Sequence, residues 1–113
     1  MADGKVKQFN YASVWEAALL TAQEGNTSGT WYCAAGLLPI SFSITGISGD
    51  TVQLRGSNNP TIPSAAENGH LLNSSFTTDT LAVLDSPVKW VKAIVTNWNA
   101  GIINVYAIGY YKK

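Results

Sequence analysis

Between Ile40 and Thr45 apolar and hydroxyl side chains alternate without exception: Ile40, Phe42 and Ile44 fall to one side, Ser41, Ser43 and Thr45 to the other. A period of two is the signature of a strand with one face buried and one face wet, and no helix can satisfy it. The alternation resumes after Ser48-Gly-Asp50, with Val52 and Leu54 inward against Thr51, Gln53 and Arg55 outward, so the two runs read as a β-hairpin spanning Ile40 to Arg55. Val88 to Thr96 and Ile102 to Tyr111 form a second pair of β-rich runs around Asn97-Trp-Asn-Ala-Gly101, read as another hairpin closed by a loop that ends in Gly.

The rest of the chain follows the same grammar. Thr30 to Cys33, Leu71 to Phe76 and Leu81 to Leu84 read as short strands separated by turn clusters such as Glu24 to Gly29 and Asp85-Ser-Pro87. The segment from Ser13 is ambiguous: Ser13-Val-Trp-Glu16 has the form of a helix capping box, while Ala18, Leu20 and Ala22 alternate. Its all-strand surroundings favour a strand over Ala17 to Gln23. Residues 57–70, rich in Ser, Asn, Pro and Gly, form the longest polar connection and are expected at one rim, with Pro60 and Pro63 barring a central strand. Seven or eight short strands without a long helix predict an all-β fold, an antiparallel β-sandwich that is jelly-roll-like. Residues 1–12, polar and aperiodic, are expected to be a flexible N-terminal arm, and residues 13–113 a single β-sandwich domain.

Charge narrows the function. Seven Lys and Arg balance seven Asp and Glu, a net charge of zero, and charged residues are only 12% of the chain. Ordinary soluble domains carry roughly 25%. No basic field attracts nucleic acid or anionic lipid, and little repulsion keeps copies apart, so a homo-oligomer without nucleic-acid or membrane partners is expected. The polar start of the chain has no apolar run of a signal peptide, so the chain is expected to start soluble in the cytoplasm.

Chemistry finds few carriers. A lone Cys33 and a lone His70 supply neither a zinc ligand set nor an oriented nucleophile and base. Cys33 reads as a small buried hydrophobe in a strand and His70 as a loop residue. Asp50, Asp79 and Asp85 sit at turns, where Asp commonly bonds nearby backbone, and nothing pairs Glu16, Glu24 or Glu67 for acid and base work. No enzyme activity, cofactor or metal is expected.

The aromatic residues carry more information. Trp90, in a strand, is the best core candidate. Trp98, at a loop tip between two Asn residues, suits an anchor for a partner surface or a sugar ring. Trp31 and Tyr32 are adjacent, so in a strand they point to opposite faces and at least one leaves the core. Tyr11, Trp15, Trp31 and Trp98 together form the candidate interface.

Four runs, Pro39-Ile-Ser-Phe-Ser-Ile-Thr-Gly46, Thr51-Val-Gln-Leu-Arg-Gly-Ser-Asn58, Lys89-Trp-Val-Lys-Ala-Ile-Val95 and Gly101-Ile-Ile-Asn-Val-Tyr106, resemble strands of small virion proteins of tailed bacteriophages. The resemblance covers residues 37–111. It implies a jelly-roll-like sandwich that decorates or cements a capsid, or forms part of a head or tail appendage, often as a trimer. The implied partners are the major capsid protein or other virion subunits, and the implied location is the virion, after synthesis in host cytoplasm. A carbohydrate-binding or host-adhesion module on a head or tail fibre, with Trp98 or Trp31 stacking on a sugar, is the competing expectation.

Overall fold

The computed structural model describes residues 14–111. Eight strands run through them: β1 (Val14–Gln23), β2 (Tyr32–Cys33), β3 (Leu37–Thr45), β4 (Val52–Ser57), β5 (His70–Phe76), β6 (Thr80–Leu84), β7 (Trp90–Val95) and β8 (Ile103–Tyr111). They form two antiparallel four-stranded sheets, ordered β1-β8-β3-β6 and β2-β7-β4-β5. The all-β sandwich is therefore as expected. Its topology follows from one antiparallel ribbon, in which β1 lies beside β8, β2 beside β7, β3 beside β6 and β4 beside β5. Rolling that ribbon distributes its four rungs between two sheets, which is the jelly-roll arrangement.

That topology corrects both hairpins. β3 and β4 lie in different sheets, and so do β7 and β8. The chain at 46–51 and at 96–102 therefore steps from one sheet to the facing one. Sheets face each other about 10 Å apart whereas paired strands are about 4.8 Å apart. A six- or seven-residue connection spans either gap, and side-chain alternation is the same in both cases. Among the described strands only β4 and β5 are successive and also paired.

The inner faces meet as the alternation demands. Ile40, Phe42 and Ile44 of β3, Val52 and Leu54 of β4, Val91, Ala93 and Val95 of β7, and Ile103, Val105 and Ala107 of β8 are all buried in one cluster. The ambiguous segment is a strand, longer than expected and starting at Val14. Ladder shifts after Ala18 and Leu20 bury both Leu19 and Leu20, and Ala22 takes a φ of 47°. These irregularities erase the clean alternation that would have distinguished it from a helix.

The 58–69 connection is not a rim loop. It folds over the outer face of the β2-β7-β4-β5 sheet, fastened by side chains of that sheet: Trp31 Nε1 donates to the Ser64 carbonyl (3.0 Å), Trp90 Nε1 to the Asn59 carbonyl (3.0 Å) and Lys89 Nζ to the Pro60 carbonyl (2.7 Å). Lys92 lies fully buried beneath it, its ammonium donating to the carbonyls of Ala65 and Glu67 and sitting 4.7 Å from the centre of the Trp31 ring. Ser64 and Glu67 brace the loop, the Ser64 N–H donating to Glu67 Oε1 and the Glu67 N–H to the Ser64 carbonyl.

At one end of the sandwich the two inter-sheet connections clasp each other around Asp50, which is buried. Its carboxylate accepts from the N–H groups of Ser48 (2.7 Å), Gly101 (3.1 Å) and Asn99. Asn99 Nδ2 returns a bond to the Ser48 carbonyl (2.9 Å). Burial alone would push the Asp50 carboxyl up, but the amide hydrogen bonds from Asn99, Ser48, Gly101 and Ala100 outweigh it and hold it below its ordinary value of 3.8. A carboxylate whose pKa is lower folded than unfolded stabilises the fold above the unfolded value and loses that contribution as pH falls through the folded one. Thermal melts from about pH 5 to about pH 2 should therefore show a loss of stability concentrated below 3.8 that Asp50→Asn largely removes. An unchanged acid profile in Asp50→Asn would show that the loss originates elsewhere.

Candidate functional site

The two sheets differ in what covers them. One outer face carries the 58–69 loop, whereas the outer face of the β1-β8-β3-β6 sheet has no described segment across it. Its side chains are those that alternate away from the core: Glu16 and Ala18 on β1, Tyr106, Ile108 and Tyr110 on β8, Ser41 and Ser43 on β3, and Leu81 and Val83 on β6. The five large ones are exposed by between 38% for Ile108 and 69% for Leu81. Glu16 is the one ionisable carboxylate among these nine, and none is basic. Large apolar side chains exposed side by side make this face the candidate interaction surface.

Register sets these residues in two rows across the sheet. Ala18, Tyr106, Ser43 and Leu81 are consecutive partners in one row, and Glu16, Ile108, Ser41 and Val83 in the next. Small and large side chains alternate from strand to strand in the first row; in the second, Glu16 and Ile108 are both large and only Ser41 is small. A shallow depression beside Tyr106 is lined by Glu16 and Ala18, where the β1 side chains fall short of the β8 ridge. Tyr106 Oη donates to Asn104 Oδ1 (3.3 Å) and Ala22 N–H donates to the same oxygen (2.9 Å), linking the ridge to the irregular end of β1.

The aromatic candidates do not assemble into one surface. Tyr11 lies outside the described residues. Trp15 is half-buried, packed against the core and paired in register with Gly109 of β8. Trp31, expected at an interface, is only 5% exposed, because the 58–69 loop closes over the outer face from which it projects. Tyr32 turns the other way, half-buried, and its hydroxyl donates to the Ala18 carbonyl (3.0 Å), tying the two sheets together. Trp90, expected in the core, is half-buried at the start of β7 and serves the same loop. Trp98 is at the clasped end and 38% exposed, with its N–H donating to Asn26 Oδ1 (2.7 Å) and its Nε1 to the Gly101 carbonyl (2.9 Å).

The ionisable and nucleophilic candidates are equally scattered. Cys33 is exposed rather than buried, because β2 is a two-residue strand at the sheet's edge. His70 is exposed at the start of β5. Asp79 Oδ1 accepts from the Ile47 N–H (2.9 Å), a backbone-bonding role like that of Asp50. Among the described residues no three His, Cys, Asp or Glu side chains gather as metal ligands. No helix of the described residues is long and apolar enough to cross a membrane.

The signal for the uncovered face was present in β8. Val105, Ala107 and Gly109 face the core, yet Tyr106, Ile108 and Tyr110 between them are apolar or aromatic too. A strand apolar on both faces asks for cover on both.

No known protein family's sequence profile matches the chain, and no curated protein matches its sequence. The fold is similar to that in the crystal structure of the SPBc2 prophage-derived protein YomS, with a TM-score of 0.65 over 85% of this chain and 91% of that one. At 14% identity the likeness is one of fold: two chains of very different sequence share this sandwich.

Proposed function

We propose that this chain is a structural protein of a tailed-phage particle, decorating or cementing the head shell through protein–protein contacts with the major capsid protein or other virion subunits. The observation that carries the proposal is the apolar, nearly uncharged outer face of the β1-β8-β3-β6 sheet, uncovered among the described residues and suited to burial against protein. The balanced, sparse charge of the chain and its fold likeness to a prophage-derived protein support the same reading. The role involves no catalysis, cofactor or nucleic acid. Its mechanism is linkage: a subunit that binds only the assembled shell stabilises assembly over dispersal, and the effect multiplies over many copies.

The test uses phage particles lacking the protein. Purified protein should co-sediment with such shells in many copies per particle, and particles without it should release DNA at a lower temperature than complete ones. Equal heat resistance with and without the protein would overturn the cement role. Glycan binding that is lost in Trp98→Ala, with no binding to shells, would replace it by the adhesion reading.

A further inference from the structure

We infer that the uncovered β1-β8-β3-β6 face is a self-association surface, occupied by the same face of a second copy of this chain about a two-fold axis parallel to the strands and running between β8 and β3. The inference rests on the assembly role proposed above and takes the occupant of this face to be a second copy, so that the shell contacts fall to the other surfaces of the dimer.

The argument rests on the order of side chains. Across the first row the sizes run small, large, small, large: Ala18, Tyr106, Ser43, Leu81. A two-fold axis in the interface plane and parallel to the strands reverses this order in the facing copy while keeping each row level. Tyr106 then meets Ser43 of the second copy, Leu81 meets Ala18, and each contact occurs twice, as an isologous interface requires. In the next row Ile108 meets Ser41, while Val83 meets Glu16, whose place on the edge strand lets its carboxylate turn to water. The depression lined by Glu16 and Ala18 receives the β6 ridge. An in-plane axis perpendicular to the strands would instead set β8 against β8, Tyr and Ile ridges in collision and serine grooves empty. The size pattern therefore selects one axis, and it fits a two-fold contact rather than a threefold one.

Charge and area agree. With one carboxylate and no basic group among the nine residues, the face offers an oppositely charged partner little to pair with and meets little repulsion from itself. Four strands about 4.8 Å apart, with lengths of roughly 17–30 Å, give a footprint of about 400–500 Å². The accessible surface over the pleat exceeds the footprint but stays below the ~800 Å² per partner of standard complexes, the range of a weak, concentration-dependent dimer. Sheets packed face to face in this way form a sandwich of the same kind as the one inside each copy.

Sedimentation velocity of the intact chain over an about hundredfold concentration range should show a dimer. Ser43→Arg, which fills the groove that receives Tyr106, should weaken the dimer by about 100-fold or more, as should Leu81→Lys at the most exposed apolar position. Circular dichroism establishes that each variant is folded. Tyr106→Ser alone should weaken association, and adding Ser43→Tyr should restore it to within about threefold, because the exchange moves the ridge onto β3 and the groove onto β8. A wild-type chain that stays monomeric throughout, or a double exchange no tighter than Tyr106→Ser, overturns the inference. A monomer that still binds shells overturns it while leaving the shell role standing. A dimer that binds no shells does the reverse.

Discussion

Lys92→Ala should destabilise the fold by about 3–4 kcal/mol and open the 58–69 loop, whereas Lys92→Met should fall within about 1 kcal/mol of the unaltered protein. The difference follows from what the buried lysine contributes. Its stem fills space between the sheet and the loop, and truncation to Ala leaves a cavity of the kind that costs large-to-small core substitutions about 2–5 kcal/mol. The ammonium contributes less than its contacts suggest. Burial, and next the repulsion of Arg55, hold the Lys92 pKa below 10.5 despite the opposing pull of Glu67, so the site as a whole disfavours the charge relative to water. The two loop carbonyls and the Trp31 ring offset part of the desolvation without exceeding it. Methionine keeps the volume and avoids the desolvation.

The same balance sets a pH dependence. A lysine whose folded pKa lies below its unfolded one binds fewer protons folded between the two values, so stability rises with pH as the solution approaches 10.5. Lys92→Met should lack that rise. Urea denaturation at neutral and alkaline pH, with limited proteolysis to follow the loop, measures each part. Equal destabilisation by Ala and Met would show that the ammonium, and not the stem, holds the loop.

Lys92 also shows how far local sequence reaches. The β-rich run from Val88 to Thr96 was read as a strand, and Val91, Ala93 and Val95 of β7 do face the core. Lys92, between Trp90 and Ile94 on the opposite face, reads locally as a solvated residue. It is buried because a segment about thirty positions away folds over it, and no local pattern encodes that arrival. Trp31 was misplaced for the same reason: it does leave the inner core, as adjacency to Tyr32 requires, but into a second buried layer. The uncovered face was partly legible, since Tyr106, Ile108 and Tyr110 alternate with the core residues of β8. Its rows were not, because pairing Ser43 with both Tyr106 and Leu81 depends on strand order, which alternation leaves free. The sheet membership of β3 and β4, or of β7 and β8, was hidden by connections that suit either a reversal or a step between sheets.

Those connections produce the second large effect expected. Gly101→Val should cost about 4 kcal/mol or more, enough to unfold much of the population of a domain whose whole stability is of the order of 5–15 kcal/mol. A Cβ on Gly101 would collide with the carbonyl oxygen of Gly46 and with Asp50 Oδ1. Neither is the free end of a long side chain able to swing aside: one is backbone, and the other is held by the amides of Ser48 and Asn99 as well as that of Gly101 itself. Relief would require the 46–51 and 96–102 connections to separate, withdrawing the Asn99 and Gly101 N–H donors from a buried carboxylate. Gly46 is under the same constraint from the other side, with a φ of 87° and its Cβ direction occupied by the Ile102 carbonyl. Because one connection joins β3 to β4 and the other β7 to β8, parting them loosens the sheets at this end together. Gly25→Ala supplies the comparison: Gly25 also has a positive φ, of 107°, but open space around its Cβ direction, so the cost there is backbone strain alone, about 1–2 kcal/mol. Denaturant midpoints for the two variants separate the clasp from the strain, and similar losses at both positions would mean that the packing around Asp50 contributes little.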